Sequence, residues 1–126
     1  MEEVKKWMRG LRAVQHLHLN GVIHRNLHPG NICIDFNGKL VIRGFGRARV
    51  MDRDQAMTLD NFTHSYSPIE LLLEWEGPYD GKVDIWSVAT LLCQLITGHN
   101  IFGSPNNRNP LVKHKELCGP VPQSVL

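Results

Sequence analysis

The chain has 126 residues, 42% of them hydrophobic, which suits one globular domain or part of one and argues against a disordered chain. Its 14 basic and 12 acidic side chains leave a net charge of only +2, and no Lys/Arg-rich run of five or more occurs, so no nucleic-acid partner is expected. Cys33, Cys93 and Cys118 form neither a disulfide framework nor a zinc pattern and fit a reducing, intracellular compartment, cytoplasmic or nuclear. The start Met1-Glu2-Glu3 is acidic where a secretory signal is basic and then apolar, and the longest apolar run is too short to cross a bilayer. Neither export nor a membrane partner is expected.

Val4, Trp7, Met8, Leu11, Val14 and Leu17 recur at helical spacing, His18 extends the stripe, and Asn20-Gly21 supplies a stop. An amphipathic helix is therefore predicted over residues 2–19. Residues 22–31 contain His24-Arg25-Asn26-Leu27-His28-Pro29-Gly30-Asn31, an irregular stretch. Two short apolar runs follow, Ile32-Cys33-Ile34-Asp35-Phe36 and Lys39-Leu40-Val41-Ile42, joined by Asn37-Gly38. Both joining residues tolerate positive φ, so a β-hairpin over 32–42 with a type I′ turn is predicted. After Gly44-Phe45-Gly46, residues 47–66 are polar and aperiodic. Residues 83–97 are apolar nearly all round and precede Gly98, which predicts a fully buried central helix with a glycine stop. Residues 103–109 read as a loop, and 111–117 as a further helix ended by Gly119-Pro120. The expected class is mainly α with a short β-hairpin.

In combination these motifs resemble the middle of a protein kinase domain, most closely that of the mitogen-activated protein kinases. The stretch His24 to Asn31 resembles the catalytic loop H-R-D-L-x-x-x-N, and Gly44-Phe45-Gly46, thirteen positions beyond Asn31, resembles Asp-Phe-Gly. Tyr66-Ser67-Pro68-Ile69-Glu70 is similar to the family's Tyr-Arg-Ala-Pro-Glu, and Asp84-Ile85-Trp86-Ser87-Val88-Ala89 to D-x-W-S-x-G with Ala for Gly. The resemblance implies a partial kinase large lobe: a catalytic loop over 22–31, an activation segment over 44–70, a central helix over 83–97 and a terminal loop and helix over 98–126. It implies that Asn31 and Cys33 stand at nucleotide and metal positions, Cys33 beneath the adenine. It also implies that His24 stacks on Phe45, that Asp84 accepts hydrogen bonds from the catalytic-loop backbone, that Trp86 is structural, and that Glu70 pairs with an arginine beyond Leu126. Arg25, Thr58 and Asp60 fall at regulatory positions, Thr58-Leu59-Asp60 standing where these kinases carry Thr-x-Tyr.

Three departures fall on the chemistry. Asn26 replaces the catalytic Asp, and a carboxamide can orient a hydroxyl but cannot take its proton. His28 stands where most Ser/Thr kinases carry a phosphate-contacting Lys, and Gly44 replaces the metal-binding Asp. The 126 residues also contain no glycine-rich phosphate loop and no V-A-I-K lysine, so the family's small lobe lies outside this sequence. The family's cofactors are ATP and Mg2+; none is expected here. His16, His18, His24, His28 and Cys33 do not suggest a metal site, because His16 and His18, at positions i and i+2, point to different faces of a helix and the resemblance accounts for the other three. The expected function is that of a catalytically inactive kinase-like protein acting through protein partners in signalling. The alternatives are a residual Ser/Thr kinase activity completed by a small lobe supplied in trans, and a truncated remnant without a selected role.

Overall fold

Apolar spacing and end charges together explain the first helices. The computed structural model describes residues 1–51, 64–75, 77, 79–103 and 109–123. Helix α1 spans Glu2–Gly10, with Glu2 and Glu3 in its first turn and Arg9 in its last, each complementing the helix dipole. Helix α2 spans Arg12–Leu19. The single helix expected over 2–19 is thus interrupted at Leu11, which keeps right-handed dihedrals (φ −68°, ψ −10°) and still donates its N–H to Trp7 O at 3.1 Å. The break follows Gly10, the weakest helix former in the segment.

The hairpin falls where the apolar runs place it. Strand β2, Ile32–Ile34, pairs antiparallel with β3, Leu40–Ile42, in the register Ile32 with Ile42 and Cys33 with Val41. Its turn differs from the expected type I′. Gly38 has positive φ (74°) and Asn37 does not. Asp35 O accepts Gly38 N–H at 2.9 Å, while Asp35 Oδ1 accepts from Asn37 N and Lys39 N at 2.9 and 2.8 Å. The loop is therefore a three-residue connection, a turn led by Asp35 and closed by a left-handed glycine. The Asp35 side chain outcompetes the two-residue turn by satisfying two loop donors at once. A second, unexpected ribbon pairs β1, Val22–Ile23, with β4, Arg49–Val50, and ties the start of the loop to the segment beyond Gly46.

After α3, Ile69–Leu72, the 16-residue α4 runs from Lys82 to Thr97 and ends at Gly98, whose left-handed φ of 76° and N–H bond to Gln94 O (2.8 Å) give the expected glycine stop. Its burial is one-sided, which corrects the expectation of a fully buried helix. Val83, Asp84, Ser87, Val88, Thr90 and Leu91 are buried, but Ile85 is 53% and Ile96 68% exposed. A helix apolar all round is covered only where neighbours exist, and α1 and the His64–Tyr66 turn are among the elements packed on it. The main core joins Val14, Leu27, Ile32, Tyr66, Val88 and Leu91, with Trp7, Leu11 and Leu40 packed against it. Ile23, Leu71 and Val83 form a second cluster with Met51 and Tyr79. Helix α5, Pro110–Cys118, starts at Asn109, whose Oδ1 accepts from Leu111 N at 3.0 Å. The result is a mainly helical architecture with two short antiparallel ribbons. Among the described residues no helix is long and apolar enough to cross a membrane.

Candidate functional site

The loop 22–31 is held from behind by one carboxylate. Arg25 has φ 67°, a left-handed conformation costing about 1–2 kcal/mol for a residue with a side chain. That bend turns two successive N–H groups to one side, where Asp84 takes both: His24 N to Oδ2 at 2.9 Å and Arg25 N to Oδ1 at 2.8 Å. His18 Nε2 donates to Oδ2 at 2.8 Å. Asp84 is 1% exposed, and a carboxylate so deep is tolerable only with such donors. The bonds to His24 and Arg25 are those the resemblance implied. The third, from His18, was not foreseen. It depends on Gly81, because a Cβ there would sit 2.7 Å from the His18 ring.

His24 is a packing residue. Its ring meets Phe45 edge-on at a centroid distance of 4.9 Å, as expected. Nε2 reaches Arg43 O at 2.9 Å and Nδ1 accepts Asn26 N–H at 3.1 Å, so both ring nitrogens are occupied by backbone. This fixes the tautomer with the proton on Nε2.

The three chemically altered positions meet at Asn31. Its Nδ2 donates to Asn26 O at 2.9 Å and lies 3.1 Å from His28 Nε2. On its other side is Gly44, whose left-handed φ of 78° already favours glycine. A Cβ at position 44 would fall 2.3 Å from Asn31 Oδ1 and 2.4 Å from its Cγ. The Asn31 carboxamide therefore occupies the volume in which any side chain at 44 would begin. His28 caps the Pro29–Asn31 turn by accepting Gly30 N–H on Nδ1 at 3.1 Å, which leaves the ring proton on Nε2. Burial first, then electrostatic interaction with the neighbouring His24 and Arg47, pushes the His28 imidazole below its usual pKa.

Such a centre does not fit Mg2+, which asks for hard oxygen ligands in near-octahedral array, commonly from carboxylates and phosphates. Asn26, His28, Asn31 and Gly44 offer carboxamides, an imidazole and no carboxylate. Among the described residues no group of three His, Cys, Asp or Glu is placed to hold a metal ion.

The remaining candidates are dispersed. Cys33 is half-buried opposite Val41, on the hairpin face away from buried Ile32. Arg25 is 4% exposed, its Nε donating to Arg47 O at 2.6 Å and Nη1 to Tyr79 Oη at 2.8 Å. Thr58 and Asp60 lie outside the described residues. Glu70 is half-buried in the first turn of α3, and no ion pair joins it to another described residue. Trp86 lies against Phe102 and His114, with ring centroids 5.3 and 5.0 Å away. His114, not singled out by the sequence, is 2% exposed, and burial lowers its pKa against a Ser67 backbone hydrogen bond that raises it. Trp86 Nε1 and His114 Nε2 are both buried without a hydrogen-bond partner. An exposed-looking Lys-His-Lys run in α5 gave no signal for that burial.

A family model described as protein kinase domain matches residues 1–119. The chain is 40% identical over 116 residues to mitogen-activated protein kinase HOG1 of Wallemia sebi, covering 92% of the chain and 41% of that protein. It is 40% identical to mitogen-activated protein kinase HOG1A of Wallemia ichthyophaga, covering 31% of that protein, and 37% identical to mitogen-activated protein kinase mpkC of Emericella nidulans, covering 27%. The chain thus spans less than half the length of these curated relatives.

Proposed function

This chain belongs to the protein kinase domain family, related to mitogen-activated protein kinases, and we propose that within it the chain is catalytically inactive and acts by binding protein partners in a signalling pathway. The observation that carries this reading is the Asn31 carboxamide, bonded to Asn26 O and filling the space beside Gly44. Phosphoryl transfer needs a base for the hydroxyl proton and metal-held phosphates. Asn26 supplies no base, and the packing of Asn31 against Gly44 leaves no room for a metal-binding side chain. A positioned base alone contributes about 10² to 10⁴-fold, and electrostatic stabilisation of the phosphoryl group more. What persists is the binding framework: the Asp84 strap, the His24–Phe45 stack and the hairpin hold a kinase-shaped surface without its chemistry.

The test is transfer from radiolabelled ATP by the wild-type chain, Asn26→Asp, and Asn26→Asp with Gly44→Asp, each alone and with a separately expressed kinase small lobe. No phosphate incorporation by the wild type is expected in either condition. Incorporation above background that is lost on Asn31→Ala would overturn the proposal and favour the residual-kinase reading.

A further inference from the structure

The sequence holds two Asn-Gly steps, Asn20-Gly21 and Asn37-Gly38. Asparagine is among the thermolabile residues, and a following glycine, lacking Cβ, leaves the backbone nitrogen between them open to the carboxamide carbon. The two steps share one backbone geometry. Gly21 and Gly38 are both left-handed, at φ 72° and 74°, and their N–H groups are both engaged, Gly21 with His18 O at 3.0 Å and Gly38 with Asp35 O at 2.9 Å. Their side chains differ. Asn20 is pinned at the end of α2, its Nδ2 donating to His16 O at 2.8 Å. Asn37 is exposed in the loop between β2 and β3, and its carboxamide makes no hydrogen bond to a described residue.

The surrounding charge separates them further. A Cβ built on Gly38 would lie 3.7 Å from Lys6 Nζ, whereas the same position on Gly21 has nothing within 4 Å. An ammonium beside an amide nitrogen favours loss of its proton, the step that makes the nitrogen a nucleophile. Asp35 acts the other way: its Oδ1 holds Asn37 N and Lys39 N at 2.9 and 2.8 Å, fixing the loop and placing a negative charge within it.

We propose that Asn37 is a site of spontaneous deamidation restrained by Asp35, and that Asn20, with the same neighbour in sequence, is protected. Gly38 N loses its proton to solvent and bonds to Asn37 Cγ. The Cγ–Nδ2 bond breaks, and the nitrogen leaves as ammonia after taking a proton from water. Water then opens the cyclic imide at either carbonyl, giving Asp or the β-linked isoaspartate. Either product sets a new carboxylate beside Lys6, and the isoaspartate also lengthens the main chain of a three-residue loop. That added length pulls the loop N–H groups off Asp35 Oδ1 and opens the turn.

Incubation of the full chain at mildly alkaline pH, followed by peptide mass mapping and isoaspartyl-specific methylation, tests the proposal, with the urea-unfolded chain in parallel. In the folded chain Asn37 is expected to convert about two- to tenfold faster than Asn20, the share of one extra hydrogen bond, and to speed up by a similar factor in Asp35→Ala. Unfolding should bring the two sites to similar rates. Conversion of Asn20 as fast as Asn37 in the folded chain, or none at Asn37 while the unfolded chain converts, overturns the proposal. A rate unchanged in Asp35→Ala overturns the restraint. Should that variant fail to fold, the comparison of the two asparagines within the wild-type chain decides.

Discussion

The two sides of one loop obey different rules. Behind the loop, Asp84 is a buried charge satisfied by His18, His24 and Arg25, and follows the kinase pattern. In front of it, Asn26, His28, Asn31 and Gly44 form a neutral, closely packed cluster from which every acid has gone. The difference teaches that the support of a catalytic loop and its chemistry are separable. The strap needs only a carboxylate behind a left-handed residue, whereas the chemistry needs a base and metal ligands in front of it.

The largest effect is expected from breaking the strap. Asp84→Ala strands two backbone N–H groups and His18 Nε2 in a buried site, and removing one side of such an arrangement costs about 3–5 kcal/mol. That is a large share of the roughly 5–15 kcal/mol stability typical of domains, so urea denaturation of the variant should show little or no cooperative transition. A variant that unfolds like the wild type would dismiss the strap as the loop's main support.

The front cluster breaks next. Gly44→Ala adds a Cβ at positive φ, costing about 1–2 kcal/mol, and collides with the Asn31 carboxamide besides. In a double-mutant cycle, Asn31→Gly should relieve part of the cost of Gly44→Ala, with a coupling of about 0.5–3 kcal/mol. Additive effects would mean that the two positions do not share this space.

Acid should sharpen the contrast between buried histidines and the exposed surface. Burial depresses His114, and burial with nearby positive charge depresses His28. On unfolding both return toward about 6.5, so the unfolded chain binds protons that the folded chain refuses. Their contribution is full above that pH and is lost as pH falls through it toward the depressed folded values. Urea midpoints at pH 7.5 and 5.5 should therefore drop on acidification, and drop less in His114→Phe; an equal drop would place the sensitivity elsewhere.

The smallest effect is expected at the stack. Phe45 is 46% exposed, so Phe45→Ala should lose chiefly the edge-on contact with His24, about 0.5–1.5 kcal/mol. A loss above about 3 kcal/mol in the same denaturation assay would make Phe45 a core residue.

Much of this framework was legible in the sequence because it is periodic or motif-bound. Helical spacing placed α1, α2 and α4 to within a residue or two, apart from the break at Leu11, and the apolar runs placed the hairpin. The role of Asp84 and the His24–Phe45 contact followed from the resemblance. What escaped depends on contacts between distant residues. The reach of His18 to Asp84 crosses 66 positions, and the two-residue strands β1 and β4 are too short to show alternation. Asn37-Gly38 misled because the preceding Asp35 captured the turn. Asn26, His28 and Gly44 were visible one by one as departures, but only Asn31 packed among them shows that they form one closed cluster.

That closure is most directly tested by Mn2+, whose free and bound forms are distinguished by paramagnetic resonance, titrated into the chain with ATP present. The account predicts that the chain leaves the manganese spectrum as it is with ATP alone, and that Asn31→Ala changes nothing. Stoichiometric uptake of Mn2+ by the wild-type chain, abolished in Asn31→Ala, would contradict it.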